Sequence, residues 1–278
     1  MVNNYMIKLY EDLYKKYTLI VILGGLLVIF LTLILTNSGI LAFLFYIIFI
    51  YIIAIYFSIK VNKRVKVIIE YYNDCDVETY TNCYENFYKR LKIGIFNNKN
   101  LETNIRIGLS TGYVSLGKNK EALNILSNFN PVFKNNRMGM VNKAIYINNL
   151  IAAHRNLKQY EEANMRLKEL NEMLNYPKLD NELKSLIEST YMINKISLDI
   201  CDNPTKEKLK YAENYFKDKL KLSTTKAEIV TFNYKLACIN EKLKNKKVEL
   251  DYLNFVIENG GSLYIVKEAK KRLKEINS

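Results

Sequence analysis

Apolar positions divide the chain into two regimes. Over residues 18–35 and 40–59 nearly every side chain is apolar and no polar face exists. From Lys60 onward apolar residues instead recur at three- and four-residue spacing, and no stretch alternates with the two-residue period of a strand. The second regime predicts about eleven helices of roughly 11–21 residues. The first lies near 60–73, and later ones lie near 182–201, 205–221, 225–244, 247–258 and 263–276. Pro131, Pro177 and Pro204 all fall between these segments, beside Asn, Asp or Tyr, as residues that cannot continue a helix should. The fold class expected is therefore all-α.

No Lys, Arg, Asp or Glu occurs from Tyr17 to Ile59. Each apolar run approaches the ~20 residues needed to cross a ~30 Å hydrocarbon core. Thr36-Asn37-Ser38-Gly39 is the polar turn between them, so the expectation is an N-terminal transmembrane hairpin over 17–59. Gly24-Gly25 would let the two helices approach closely. Lys15-Lys16 precede the hairpin, and Lys60, Lys63, Arg64 and Lys66 follow it. By the positive-inside rule both termini are cytoplasmic, and the chain is expected in a cell membrane with two spans. The four cations after residue 59 would face lipid headgroups. The domain expectations are a cytoplasmic segment 1–16, the hairpin 17–59, a juxtamembrane helical segment 60–100, and a helical repeat domain 101–278.

Charge adds a second theme. Of the net +13, the three lysines and two acids before residue 17 account for one unit, leaving +12 on 60–278. Such an excess suits nucleic acid, anionic lipid or an acidic protein. It also fits the Lys, Asn, Ile and Tyr bias of an AT-rich, bacterial genome.

The repeat domain rests on self-similarity. Leu109, Tyr113, Gly117, Ala122, Leu126 and Phe129 are followed by Leu150, His154, Lys158, Ala163, Leu167 and Leu170, with Leu109 to Leu150 and Ala122 to Ala163 both 41 residues apart. A small Ala at a fixed place suits two antiparallel helices crossing closely. Later pairs would close around Ala212 and Ala237, with Ala269 in a last capping helix. In this register the chain resembles the tetratricopeptide repeat (TPR), with Gly117 at its turn glycine and Tyr160 at its turn aromatic. The spacing is longer than the family's usual 34 residues, and Arg106 and Ile147 occupy the place of its first-helix Trp.

The resemblance implies an α-helical solenoid whose concave face contacts a protein or peptide. Its groove positions would be Asn104, Ile107, Thr111, Val114 and Ser115 in the first unit. In the second they would be Ile145, Asn148, Ala152, Arg155 and Asn156, with Asn149 the one match to a carboxylate-clamping subset of the family.

Catalytic chemistry is not legible. No phosphate loop, nucleophile elbow, zinc-protease or kinase motif occurs. His154, the lone histidine, falls where the repeat packs an aromatic and reads as core. Cys75, Cys83, Cys201 and Cys238 form no C-x-x-C pair and fit reduced thiols, so neither metal nor cofactor is expected. Asp76 reads as the N-cap of a helix, with Glu78 in its first turn. The expectation is a non-enzymatic, membrane-tethered scaffold that recruits a cytoplasmic protein or peptide. The alternative is a basic domain that binds nucleic acid or anionic lipid at the membrane surface.

Overall fold

The computed structural model describes residues 20–34, 38–91, 99–176, 179–202 and 204–278. The segment 1–16 and Pro177 lie outside them. Secondary structure among the described residues is helical throughout, in agreement with the all-α expectation. Helix α1 covers 20–34. It is followed by α2 (Gly39–Asn73), α3 (Val77–Leu91), α4 (Lys99–Ser115), α5 (Asn119–Ser127), α6 (Arg137–Asn156) and α7 (Tyr160–Glu172). A 3₁₀ turn (Met173–Asn175) leads to α8 (Asn181–Asp202), α9 (Lys206–Leu222), α10 (Lys226–Lys242), α11 (Lys246–Asn259) and α12 (Tyr264–Asn277). The last five helices lie within two residues of the spans read from periodicity.

The chain divides into two compact units, Met1–Glu70 and Tyr71–Ser278. In the first unit, Gly24 faces the Phe49 ring and Gly25 the Tyr46 ring, so the missing Cβ atoms admit α2 aromatics against α1. The expected two-span hairpin in a cell membrane, with both termini cytoplasmic, is nevertheless corrected. Among the described residues no helix is long and apolar enough to cross a membrane. Helix α2 does not stop at residue 59. It runs as one element of 35 residues through the cations at 60, 63, 64 and 66 to Asn73, so the separate juxtamembrane helix expected near 60–73 is its second half. Lys63 and Lys66 are exposed; the side chains of Lys60 and Arg64 lie outside the described ones.

In the second unit, helices pack in overlapping triplets, each with its own apolar core. Met140, Ile147, Ile151, Leu167, Leu170 and Ile187 join α6, α7 and α8. Ile196, Leu209, Phe216, Phe232 and Leu236 join α8, α9 and α10. Val230, Leu253, Val256 and Val266 join α10, α11 and α12. Burying each such side chain contributes about 1.5–3 kcal/mol. The five alanines picked out by the repeat are all at helix crossings: Ala122, Ala163, Ala212, Ala237 and Ala269 are at most 1% exposed.

The turns repeat as well as the cores. At the ends of α2, α4, α6 and α10, a residue in the left-handed region closes the helix: Cys75, Gly117, Lys158 and Lys244. Each donates its N–H to the carbonyl three residues back, and the following N–H reaches five residues back. These are Schellman closures. Gly117 and Lys158 occupy the same place 41 residues apart, so one turn geometry recurs without its glycine. Several helix starts are capped by side chains. Asp76 Oδ1 accepts from Thr79 N, and Thr225 with Glu228 forms a capping box before α10.

The array closes on itself. Ser262 donates its backbone N–H to the Cys75 carbonyl at 3.0 Å and its hydroxyl to the same oxygen at 3.1 Å. Cys75 and Val77 share a core with Leu263, Val266 and Ala269, and Leu116 packs against it. The Gly117 α-carbon abuts the Tyr264 ring, where any Cβ would collide. The start and end of the second unit, 187 residues apart, are therefore in direct contact.

Candidate functional site

Helices α4, α6, α8 and α10 are tied side to side by polar side chains. Asn142 Nδ2 donates to Asn104 Oδ1 at 2.7 Å. Asn194 Nδ2 donates to Asn148 Oδ1 at 2.7 Å, and Lys235 Nζ to Ser197 Oγ at 2.6 Å. Asn149, 3% exposed, spends its amide on Ser110 Oγ (2.9 Å), Thr111 Oγ1 (2.8 Å) and the Ile107 carbonyl (3.3 Å). The groove residues thus fall into two groups. Asn104, Thr111, Asn148 and Asn149 are links between neighbouring helices, and Ser115 bonds the Tyr72 hydroxyl at 3.1 Å. Arg155 and Asn156, at the end of α6, hold only light contacts: Arg155 Nη2 to Asn156 Oδ1 at 3.4 Å, and Asn156 Nδ2 to Asn119 Oδ1 at 3.1 Å.

Asn149→Ala leaves the buried Ser110 and half-buried Thr111 hydroxyls short of a donor. Such a truncation costs about 1–3 kcal/mol. Urea unfolding should show a lower midpoint with an unchanged slope.

Side chains from several elements surround Arg155. Tyr160 from α7, Cys201 from α8, Cys238 from α10 and Tyr264 from α12 all act on it electrostatically, and loss of hydration lowers its pKa. Lys235 from α10 shares this environment. Burial, then repulsion from Arg155, pulls its amine down to about 7. Its ammonium also lies 5.1 Å from the centre of the Phe216 ring. Burial pushes the Cys238 thiol up to about 11 and raises the Tyr234 and Tyr264 hydroxyls, so these stay protonated at neutral pH. Both cations are half-buried. Among the described residues, none of the ion pairs involves either one.

Carboxylates gather elsewhere. A separate cavity of about 220 Å³ between α10, α11 and α12 is lined by Glu241, Glu249, Glu268 and Glu275, with Arg272 among them. Arg272 bonds the buried Glu249 at 2.6 Å and reaches Glu241 at 3.3 Å. Arg272 also reaches Glu275 at 3.5 Å, so an ion-pair network centred on Arg272 engages three of the four carboxylates.

His154 differs from its expected core role. It is half-buried, with Nδ1 paired to Gln159 Oε1 at 2.9 Å, because the turn after α6 carries Gln159 back over the last helical residues. Among the described residues, no three His, Cys, Asp or Glu side chains come together in a way that could hold a metal ion.

Arg155 is legible from the repeat register, but Lys235, Cys238 and Tyr264 are not. Lys235 and Cys238 lie on α10, which the Lys235–Ser197 bond ties to α8, whereas Tyr264 comes in with closure, which has no local sequence signal beyond Gly117 and Gly260-Gly261. No family model, curated protein or solved structure matches the chain.

Proposed function

We propose that this chain is an interaction protein whose TPR-like helical array holds a protein or peptide partner on the face formed by α4, α6, α8 and α10. The observation that carries the reading is the division of labour on that face. Its asparagines bind the array together, while Arg155 and Lys235 are half-buried cations without a carboxylate partner among the described residues. Half-buried charge that serves no internal ion pair costs stability, so its presence supports a role outside the fold.

Capture from nuclease-treated extract, with the full chain and its Arg155→Gln variant as baits, tests this. A defined protein retained by wild type at high salt and lost from the variant is the expected result. The basic excess supplies the competing outcome: binding that vanishes with nuclease, or whose log–log salt dependence has a slope near −0.9 per phosphate contacted on duplex DNA. That outcome, unchanged in the variant, would replace partner recruitment with electrostatic nucleic-acid binding.

A further inference from the structure

We propose that the turn between α10 and α11, together with the lysine stripe of α12, forms a site for the phosphate backbone of duplex nucleic acid. The site goes beyond the partner-binding reading and does not depend on it, since it shares no residue with Arg155, Lys235 or the asparagine links. Four lysines stand within six residues around the turn: Lys242, Lys244, Lys246 and Lys247. On α12, Lys267, Lys270 and Lys274 recur at spacings of three and four residues, which places them along one stripe of the helix. All seven are exposed. From Lys242 to Ser278 there are nine Lys and Arg against five Asp and Glu, so the excess is not cancelled by the acids of the same helices.

Direct contacts join the two segments. Lys246 Nζ donates to the Ile276 carbonyl at 3.0 Å, and Arg272 reaches Glu249 at 2.6 Å and Glu241 at 3.3 Å. Glu241 precedes the lysine turn and Glu249 follows it, so these bonds hold the C-terminal part of α12 against both ends of the turn. The same guanidinium takes Glu275 at 3.5 Å. Three carboxylates beside the lysines are therefore already shared by one arginine. Among the described residues, no ion pair includes any of the seven lysines. Lys246 has a task inside the fold, as donor to an open carbonyl at the end of α12; no side-chain hydrogen bond gives the other six one.

The surroundings select the occupant. No large apolar or aromatic side chain between residues 223 and 278 is exposed. A protein partner needs such an anchor at the centre of its contact, single-stranded nucleic acid needs rings on which bases stack, and a bilayer-docking face needs apolar groups to enter the acyl boundary. What the patch offers is point charges on flexible stems, which suit phosphates and read no base edge. From Lys267 to Lys274 the stripe runs about 10.5 Å along the helix axis. A duplex carries one phosphate charge per ~1.7 Å of its length, so a linear ligand of that kind offers every cation of the stripe a counter-charge.

The experiment is a fluorescence-anisotropy titration of a short labelled DNA duplex of mixed sequence with the full chain, over a series of KCl concentrations. Saturable binding that weakens steeply with salt is expected. Lys244→Gln, Lys247→Gln and Lys270→Gln combined should weaken it at least tenfold at low salt. The log–log slope should become shallower by about 2.7, at ~0.9 for each lost phosphate contact. A control variant removes the same charge elsewhere, through Lys168→Gln, Lys184→Gln and Lys206→Gln, and should keep the wild-type slope. All six side chains are exposed, and urea midpoints of both variants verify the fold. Equal losses in the two variants, or wild-type binding no tighter than that of the patch variant, overturn the site. Retention on phosphatidylserine vesicles without duplex binding also overturns it and assigns the lysines to lipid headgroups. The capture experiment above uses nuclease-treated extract and does not depend on duplex binding, so the two failures are distinguishable.

Discussion

Arg106→Ala should lower stability by about 3–5 kcal/mol, read as a large fall in urea midpoint. Arg106 is 8% exposed on the inner turn of α4. Its guanidinium lies between two rings, 4.9 Å from the centre of Tyr88 and 4.6 Å from that of Phe129. Nη1 donates to the Ile125 carbonyl at 3.0 Å, and Nε and Nη2 grip Glu102 at 2.8 and 2.7 Å. Each cation–ring contact contributes about 0.5–2 kcal/mol, the higher figure applying to desolvated sites. The truncation also leaves a carbonyl unsatisfied and a large cavity. Arg106→Lys keeps the charge but loses the planar fork, and should cost roughly half as much. A loss for Arg106→Ala below about 1 kcal/mol would mean the stack contributes little.

The second large effect is a gain. Lys235→Met should stabilise the chain at pH 7 by roughly 2–4 kcal/mol, because an apolar side chain of similar length replaces a poorly hydrated cation. The sign follows from proton counts. The unfolded amine titrates near 10.5 and the folded one at about 7, so between those values the unfolded chain holds more protons. Wild-type stability therefore rises as pH climbs from about 7 towards 10.5, and the cost is fully present below 7. Cys238 acts in the opposite sense. Its folded thiol titrates at about 11 and its unfolded thiol at 9.0, so its contribution is lost as pH rises from 9 through 11. Chemical denaturation from pH 6 to 9 should show a rising profile for wild type and a flat one for Lys235→Met. Parallel profiles would place the amine in solvent.

The two results separate what periodicity encodes from what it does not. Helices α8 to α12 were legible because their apolar spacing is strong and polar residues mark their ends. The buried alanines were legible because a crossing tolerates only a small side chain. Asp76 as a cap was readable from the acidic entrance it forms with Glu78 in the first turn of α3. The hairpin expectation fails because the length of an apolar run does not fix where a helix ends. The backbone of α2 does not break at its first cation, since nothing in Ile59-Lys60-Val61 interrupts a helix.

Arg106 shows a different limit. Register placed it where the repeat has Trp, but only folding reveals that Tyr88 and Phe129 turn a guanidinium into a packed planar group. The site is the hardest case, because Arg155 and Lys235 stand on different repeats and Tyr264 comes in only through a contact between residues 75 and 262. A chain of near-identical helix pairs could equally remain open, and the small residues at 260–262 that permit closure resemble any turn.

Closure sets Tyr264 against Gly117, and amide hydrogen exchange at Ser262 tests it most directly. Its N–H sits in a turn between α11 and α12 and has one described acceptor, the Cys75 carbonyl at 3.0 Å. Protection comparable to the interior of α11 is the predicted result, because that bond breaks only when the ends of the array separate. Exchange at the rate of an exposed turn, while α11 and α12 stay protected, would show an open array and would separate Tyr264 from Arg155.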